Sequence, residues 1–165
     1  MFRCVFLLII SFCASCSLNH GKPIATLIYS DVEELRDAGI YQVRFTSDVA
    51  ILELFKSSIG QGLICAVDDD LDFAVAHQIK RSGYGLVERI EDNSVYKYQA
   101  DVIFREFTGE KGAEVFPEGE ALSRWLTNRS YISCVFRVHT TTYNTYFSNV
   151  MRIPTVDLVQ AIDKK

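Results

Sequence analysis

From Tyr96 to Arg105 the chain alternates. Tyr96, Tyr98, Ala100, Val102 and Phe104 fall on one side, and Lys97, Gln99, Asp101 and Arg105 on the other. A period of two belongs to a β-strand, with one face against a core and the other in water. A strand this long, with so clean a split, commits the chain to an antiparallel sheet. Residues 86–90 precede it across the turn-forming Glu91-Asp92-Asn93-Ser94, which reads as a hairpin. The same alternation recurs over residues 41–46 and over 131–140, where Ile132, Cys134, Phe136 and Val138 point inward. Residues 146–153 return across the turn at 140–145. Residues 24–29 read as a short strand, and the unbroken apolar run 63–67 as a central one.

Between these strands the spacing predicts helices. Residues 30–34 read as a short capped helix closing before Gly39. Ser47 or Asp48 caps a second, with Val49, Leu52, Phe55 and Ile59 on one face. Asp68-Asp69-Asp70 opens a third, with Leu71, Val75 and Ile79 aligned, ending at Lys80, Arg81 and Gly83. Pro117 starts one that packs Ala121, Leu122, Trp125 and Leu126, and Pro154-Thr155 start a last one burying Leu158, Val159 and Ile162. The expectation is an α+β fold: a single domain over residues 24–165, with a mostly antiparallel sheet and about four helices packed on one face. Eleven Phe and eight Tyr supply a sizeable core.

The N-terminus has a different character. Arg3 and the α-amine precede an uncharged apolar run, residues 4–13, half the length a membrane span needs. Small residues follow, in Cys13-Ala14-Ser15-Cys16, so residues 1–15 read as an export signal that is removed and residues 16–23 as a tether. Cys13-Ala14-Ser15-Cys16 resembles the lipobox of bacterial lipoproteins, in which small residues precede a cysteine that is diacylated and becomes the mature N-terminus. Ala14, Ser15 and Cys16 match that pattern. Cys13 departs from it, standing where the family carries an aliphatic residue. The resemblance implies that Cys16 is the lipidated residue and that acyl chains hold the protein to a membrane. It further implies, from Ser17 in place of Asp, the periplasmic face of the outer membrane. Cleavage nearby and free secretion is the competing reading.

Of the five cysteines, the signal removes Cys4 and Cys13 and lipidation occupies Cys16. Cys65 and Cys134 remain, as a disulfide in an oxidising compartment or as two buried thiols. The formal net charge is −4 and becomes one unit more negative once Arg3 leaves. Without a Lys/Arg cluster, this balance argues against nucleic acid and against a polybasic membrane patch.

No motif for catalysis, cofactor or metal stands out. Asp68, Asp70 and Asp72 fit the first three ligand positions of an EF-hand loop, but Phe73 and Ile79 occupy the places that require Gly and a bidentate Glu. His20, His77 and His139 lack zinc-site spacing. His139 shares the outward face of its strand with Arg137 and Ser133. Gly83-Tyr84-Gly85 follows a helical pattern and precedes a strand, the reverse of a phosphate loop. Tyr143, Asn144 and Tyr146 concentrate aromatic and polar groups at a turn and are the candidate partner surface. The reading is of an envelope-anchored lipoprotein with a non-enzymatic, protein-binding domain, of immunity or exclusion type or an accessory of an envelope assembly. No cofactor is expected; the partners are a membrane, through the lipid, and a protein. A hydrolase with an unrecognised active site is the alternative.

Overall fold

The alternating segments join one sheet. The computed structural model describes residues 22–35, 38–91, 96–109, 112–142 and 144–164; the segment read as a signal, Cys16 and most of the segment read as a tether lie outside them. In chain order the elements are β1 (Leu27–Glu34), β2 (Ile40–Ser47), β3 (Ser58–Ala66), β4 (Arg81–Gly85), β5 (Val87–Ile90), β6 (Tyr96–Thr108) and β7 (Ala113–Val115). Then come α1 (Glu120–Leu126), β8 (Tyr131–Thr140), β9 (Thr145–Phe147), β10 (Met151–Pro154) and α2 (Thr155–Asp163). The strands run β1-β2-β6-β4-β3-β8-β10, with β5 and β7 also on β6 and β9 on β8. Every pairing is antiparallel.

The sheet curls into a half-barrel. Its two edges approach each other, and the remaining gap is closed by main chain and by α2. The Ile24 amide donates to the Phe147 carbonyl at 2.8 Å, and the Asn149 amide to the Ala25 carbonyl at 2.9 Å. The Leu27 amide donates to Asn149 Oδ1 at 2.7 Å. Leu158 and Ile162 of α2 enter the core, and the Tyr29 hydroxyl donates to Asp157 Oδ2 at 2.8 Å, tying α2 to β1. Closing edges in this way leaves few unpaired strand groups.

The concave side holds the main core. Tyr98, Ala100, Val102 and Phe104 of β6 bury fully, as the alternation requires, facing Tyr41, Val43 and Phe45 of β2. Phe45 stacks on Tyr98, and Tyr41 meets Phe104 edge to face. Cys65 and Cys134 are directly opposed in the β3–β8 register and form a disulfide.

The expectation of an α+β fold with about four helices is wrong. The described residues hold two short helices, α1 and α2, on a sheet of ten strands. Residues 30–34 continue β1, because Asp31 and Glu33 pair across the strand with Arg44, and Val32 opposes Val43. Residues 49–57 form turns rather than a helix. Val49, Leu52 and Phe55 still pack on the core, but Ile59 belongs to β3 and is exposed. Residues 68–80 are an irregular loop. The Asp72 amide donates to Asp70 Oδ1 and the Ala74 amide to Asp72 Oδ1, local turns that take the donors a helix would use.

Candidate binding face

The loop 68–80 matters because it folds onto the convex side of the sheet, where water was expected. Phe73 and Ile79 pack there on Ile64, Ala66 and Val135 in a second, smaller cluster. β8 is therefore covered on both faces along part of its length. The loop is pinned from outside by Arg129 and closed on itself by His77. Arg129 pairs with Asp68 at 3.2 Å and Asp69 at 3.0 Å, and His77 Nε2 meets Asp70 Oδ2 at 2.6 Å. The hydrogen bond to Asp70 raises the His77 pKa above its ordinary value, helped by the charges of Asp70 and Asp72, and the same bond lowers that of Asp70.

Beside the loop the convex face is open. Two grooves run along it and share Tyr84, Arg105 and Arg137. One continues under the loop past Ser82, His77 and Ile79. The other runs over Gly60 and Gly62, flanked by Ile59, Val75 and His139, and holds about 380 Å³. Glycine makes this second groove. The Tyr84 ring lies across Gly62, where an added Cβ would come within 2.6 Å of Tyr84 Cε2 and 2.8 Å of the Gly85 carbonyl oxygen. The Tyr84 hydroxyl donates to the Gln61 carbonyl at 3.4 Å. A Cβ at Gly60 would meet nothing within 4 Å, so that position is open floor.

Arg137 stands opposite Gly62 in the β3–β8 register. Its Nη1 donates to the Phe73 carbonyl at 3.0 Å, and among the described residues it has no carboxylate partner. Desolvation by burial pushes its pKa down; Tyr84 offsets this and nearby Arg105 adds to it. Arg105 gives Nη1 to Glu114 at 3.2 Å and lies over the Phe107 ring, but its Nε is buried without an acceptor. Around this cationic centre Ile59, Val75, Tyr84, Leu86 and Ile103 are all exposed, with Glu88, Gln99 and Asp101 at the far side beyond Leu86 and Ile103. Leu86 and Ile103 border a third depression, again shared with Tyr84.

Of the residues weighed in the sequence, Asp72 and His77 line the first groove and His139 the second, while Asn144, Tyr146, Cys65 and Cys134 lie elsewhere. Tyr143 and the lipidation candidate Cys16 lie outside the described residues. Asn144 is a turn residue, its Nδ2 donating to Thr142 Oγ1 at 3.3 Å, and Tyr146 stacks on Phe55 with centroids 4.6 Å apart against the core. Cys65 and Cys134 are brought together in the core. Arg105 and Arg137 were not singled out, and Tyr84 only within Gly83-Tyr84-Gly85, which was set aside as a phosphate loop. Their outward positions on strands were readable, but only the order β6-β4-β3-β8 makes them neighbours. Compared with family models, characterised proteins and solved structures, the chain matches none.

Proposed function

We propose that this is an exported lipoprotein, anchored through Cys16, whose folded domain is a non-enzymatic protein-binding module using the convex face of its sheet. The observation that carries the binding reading is the exposed apolar group Ile59, Val75, Tyr84, Leu86 and Ile103, joined through Tyr84 into one patch. A contiguous apolar patch on an otherwise charged surface costs solubility and marks interaction surfaces. The buried disulfide supports export, since such bonds persist in oxidising compartments. The anchor rests on the lipobox-like Cys13-Ala14-Ser15-Cys16.

Both parts are testable on the native protein. Mass spectrometry of the mature N-terminus is expected to find a diacylated Cys16; an unmodified peptide starting at Ser17 or beyond removes the anchor. Affinity capture from solubilised envelope is expected to retain a partner with the wild-type chain and lose it with a Leu86→Asp/Ile103→Asp double variant. Both side chains are exposed, so that variant should fold. Equal capture by the two proteins would remove the binding face.

A further inference from the structure

We propose that the junction of the two grooves, where Arg105 and Arg137 meet at Tyr84, is a recognition site for a carboxylate on an acidic side chain of the partner protein. This rests on the reading of the convex face as a protein-binding surface and names the chemistry that surface selects.

The half-buried arginines other than Arg137 are matched by acids: Arg44 by Asp31 and Glu33, Arg81 by Glu106, Arg129 by Asp68 and Asp69, and Arg105 through one Nη by Glu114, with its Nε left over. Among the described residues Arg137 has a carbonyl only; Asp72 lines the same groove but makes no ion pair with it, being turned to His77, and the charge that acts on Arg137 is the Arg105 guanidinium. Partly desolvating a cation beside a like charge is costly unless an anion completes the arrangement. The chain as a whole is acidic, so its long-range field does not attract acids. Attraction must come from this locus.

Shape and donor type narrow the occupant. The groove over Gly60 and Gly62, at about 380 Å³, admits one or two side chains, and no lysine lines either groove among the described residues. Guanidinium forks match the two oxygens of a carboxylate. Ile59 and Val75 flank the approach and would pack the methylenes of a glutamate stem.

The probe is a ten-residue oligoglutamate, titrated into the mature chain in detergent while the arginine Nε–Hε resonances are followed. Arg105 and Arg137 are expected to shift along one saturable curve. Arg137→Gln should weaken binding roughly tenfold or more, the scale of a lost charge-assisted hydrogen bond. Because Arg137 also holds the Phe73 carbonyl, Gly60→Leu is the second variant: it keeps both arginines, fills open floor, and should abolish the shift. Arg124→Gln, remote from both grooves, should change nothing. Equal weakening by Arg124→Gln, full binding by Gly60→Leu, or equal competition by inorganic phosphate at matched ionic strength would each overturn the site. The two readings fail separately. If oligoglutamate does not bind while envelope capture still depends on Leu86 and Ile103, the carboxylate site is wrong and the face stands. If oligoglutamate binds but capture ignores Leu86 and Ile103, the protein-binding reading falls.

Discussion

β3 and β8 become neighbours only after the chain has travelled through β4 to β7 and α1, and the Cys65–Cys134 bond closes that 69-residue excursion. The bond therefore acts on the least local of the central pairings. In the chain-entropy description, a loop of this length withholds about 4 kcal/mol of freedom from the unfolded state. Reduction rather than mutation isolates that effect, because both sulfurs stay in the core, where neither cysteine is exposed. A Cys65→Ala/Cys134→Ala variant would add the loss of packed volume on top. The assay is equilibrium urea unfolding of the mature chain, oxidised and fully reduced, followed by the fluorescence of Trp125, which packs against the core. The reduced protein is expected to be less stable by about 3–5 kcal/mol. Its thermal midpoint should fall by about 8–16 °C for a chain of this size. Because the sulfurs are buried, reductant should act only as the native state opens, so reduction should speed up in sub-denaturing urea. Coincident unfolding curves, within about 1 kcal/mol, would refute the view that this bond restrains the unfolded chain.

Two further outcomes follow from the convex face. Gly62→Ala should destabilise the fold by about 1–3 kcal/mol, because its Cβ collides with the Tyr84 ring and the Gly85 carbonyl. Gly60→Ala should stay within about 0.5 kcal/mol, and equal effects of the two in urea melts would refute the seating of Tyr84 on Gly62. His77 should titrate above the ordinary histidine range and drop toward it in Asp70→Asn. With the folded pKa raised, the loop contact is fully present below the unfolded pKa, near 6.5, and is lost as pH rises through the folded one. An NMR titration unchanged by Asp70→Asn would break that link.

The sheet was legible where packing follows local pattern. The strand read at 131–140 is β8, and Tyr98 to Phe104 bury as their alternation demands. Pro117 and Pro154 marked the two real helices, α1 and α2. The false helices share a cause: three- and four-residue spacing also arises where turns repeatedly touch a core. Val49, Leu52 and Phe55 do so without helical hydrogen bonds. In the 68–80 loop the burial contradicts a helical face outright. Leu71 and Val75 are exposed while Phe73 is buried. The aspartates that resemble helix caps there instead close local turns, Asp70 accepting from the Asp72 amide and Asp72 from the Ala74 amide. The grooves were illegible for a different reason. Arg105 and Arg137 stand 32 positions apart in the sequence, and only long-range strand order brings them to Tyr84.

We propose that the convex face meets another protein in the envelope. The most direct measurement places a photo-crosslinking residue at Leu86, at Ile103 and, as a control, at Val156, which is exposed on α2. After illumination of intact cells, positions 86 and 103 are expected to yield the same discrete adduct, and position 156 none. Adducts from position 156 alone, or none from 86 and 103, would contradict the account.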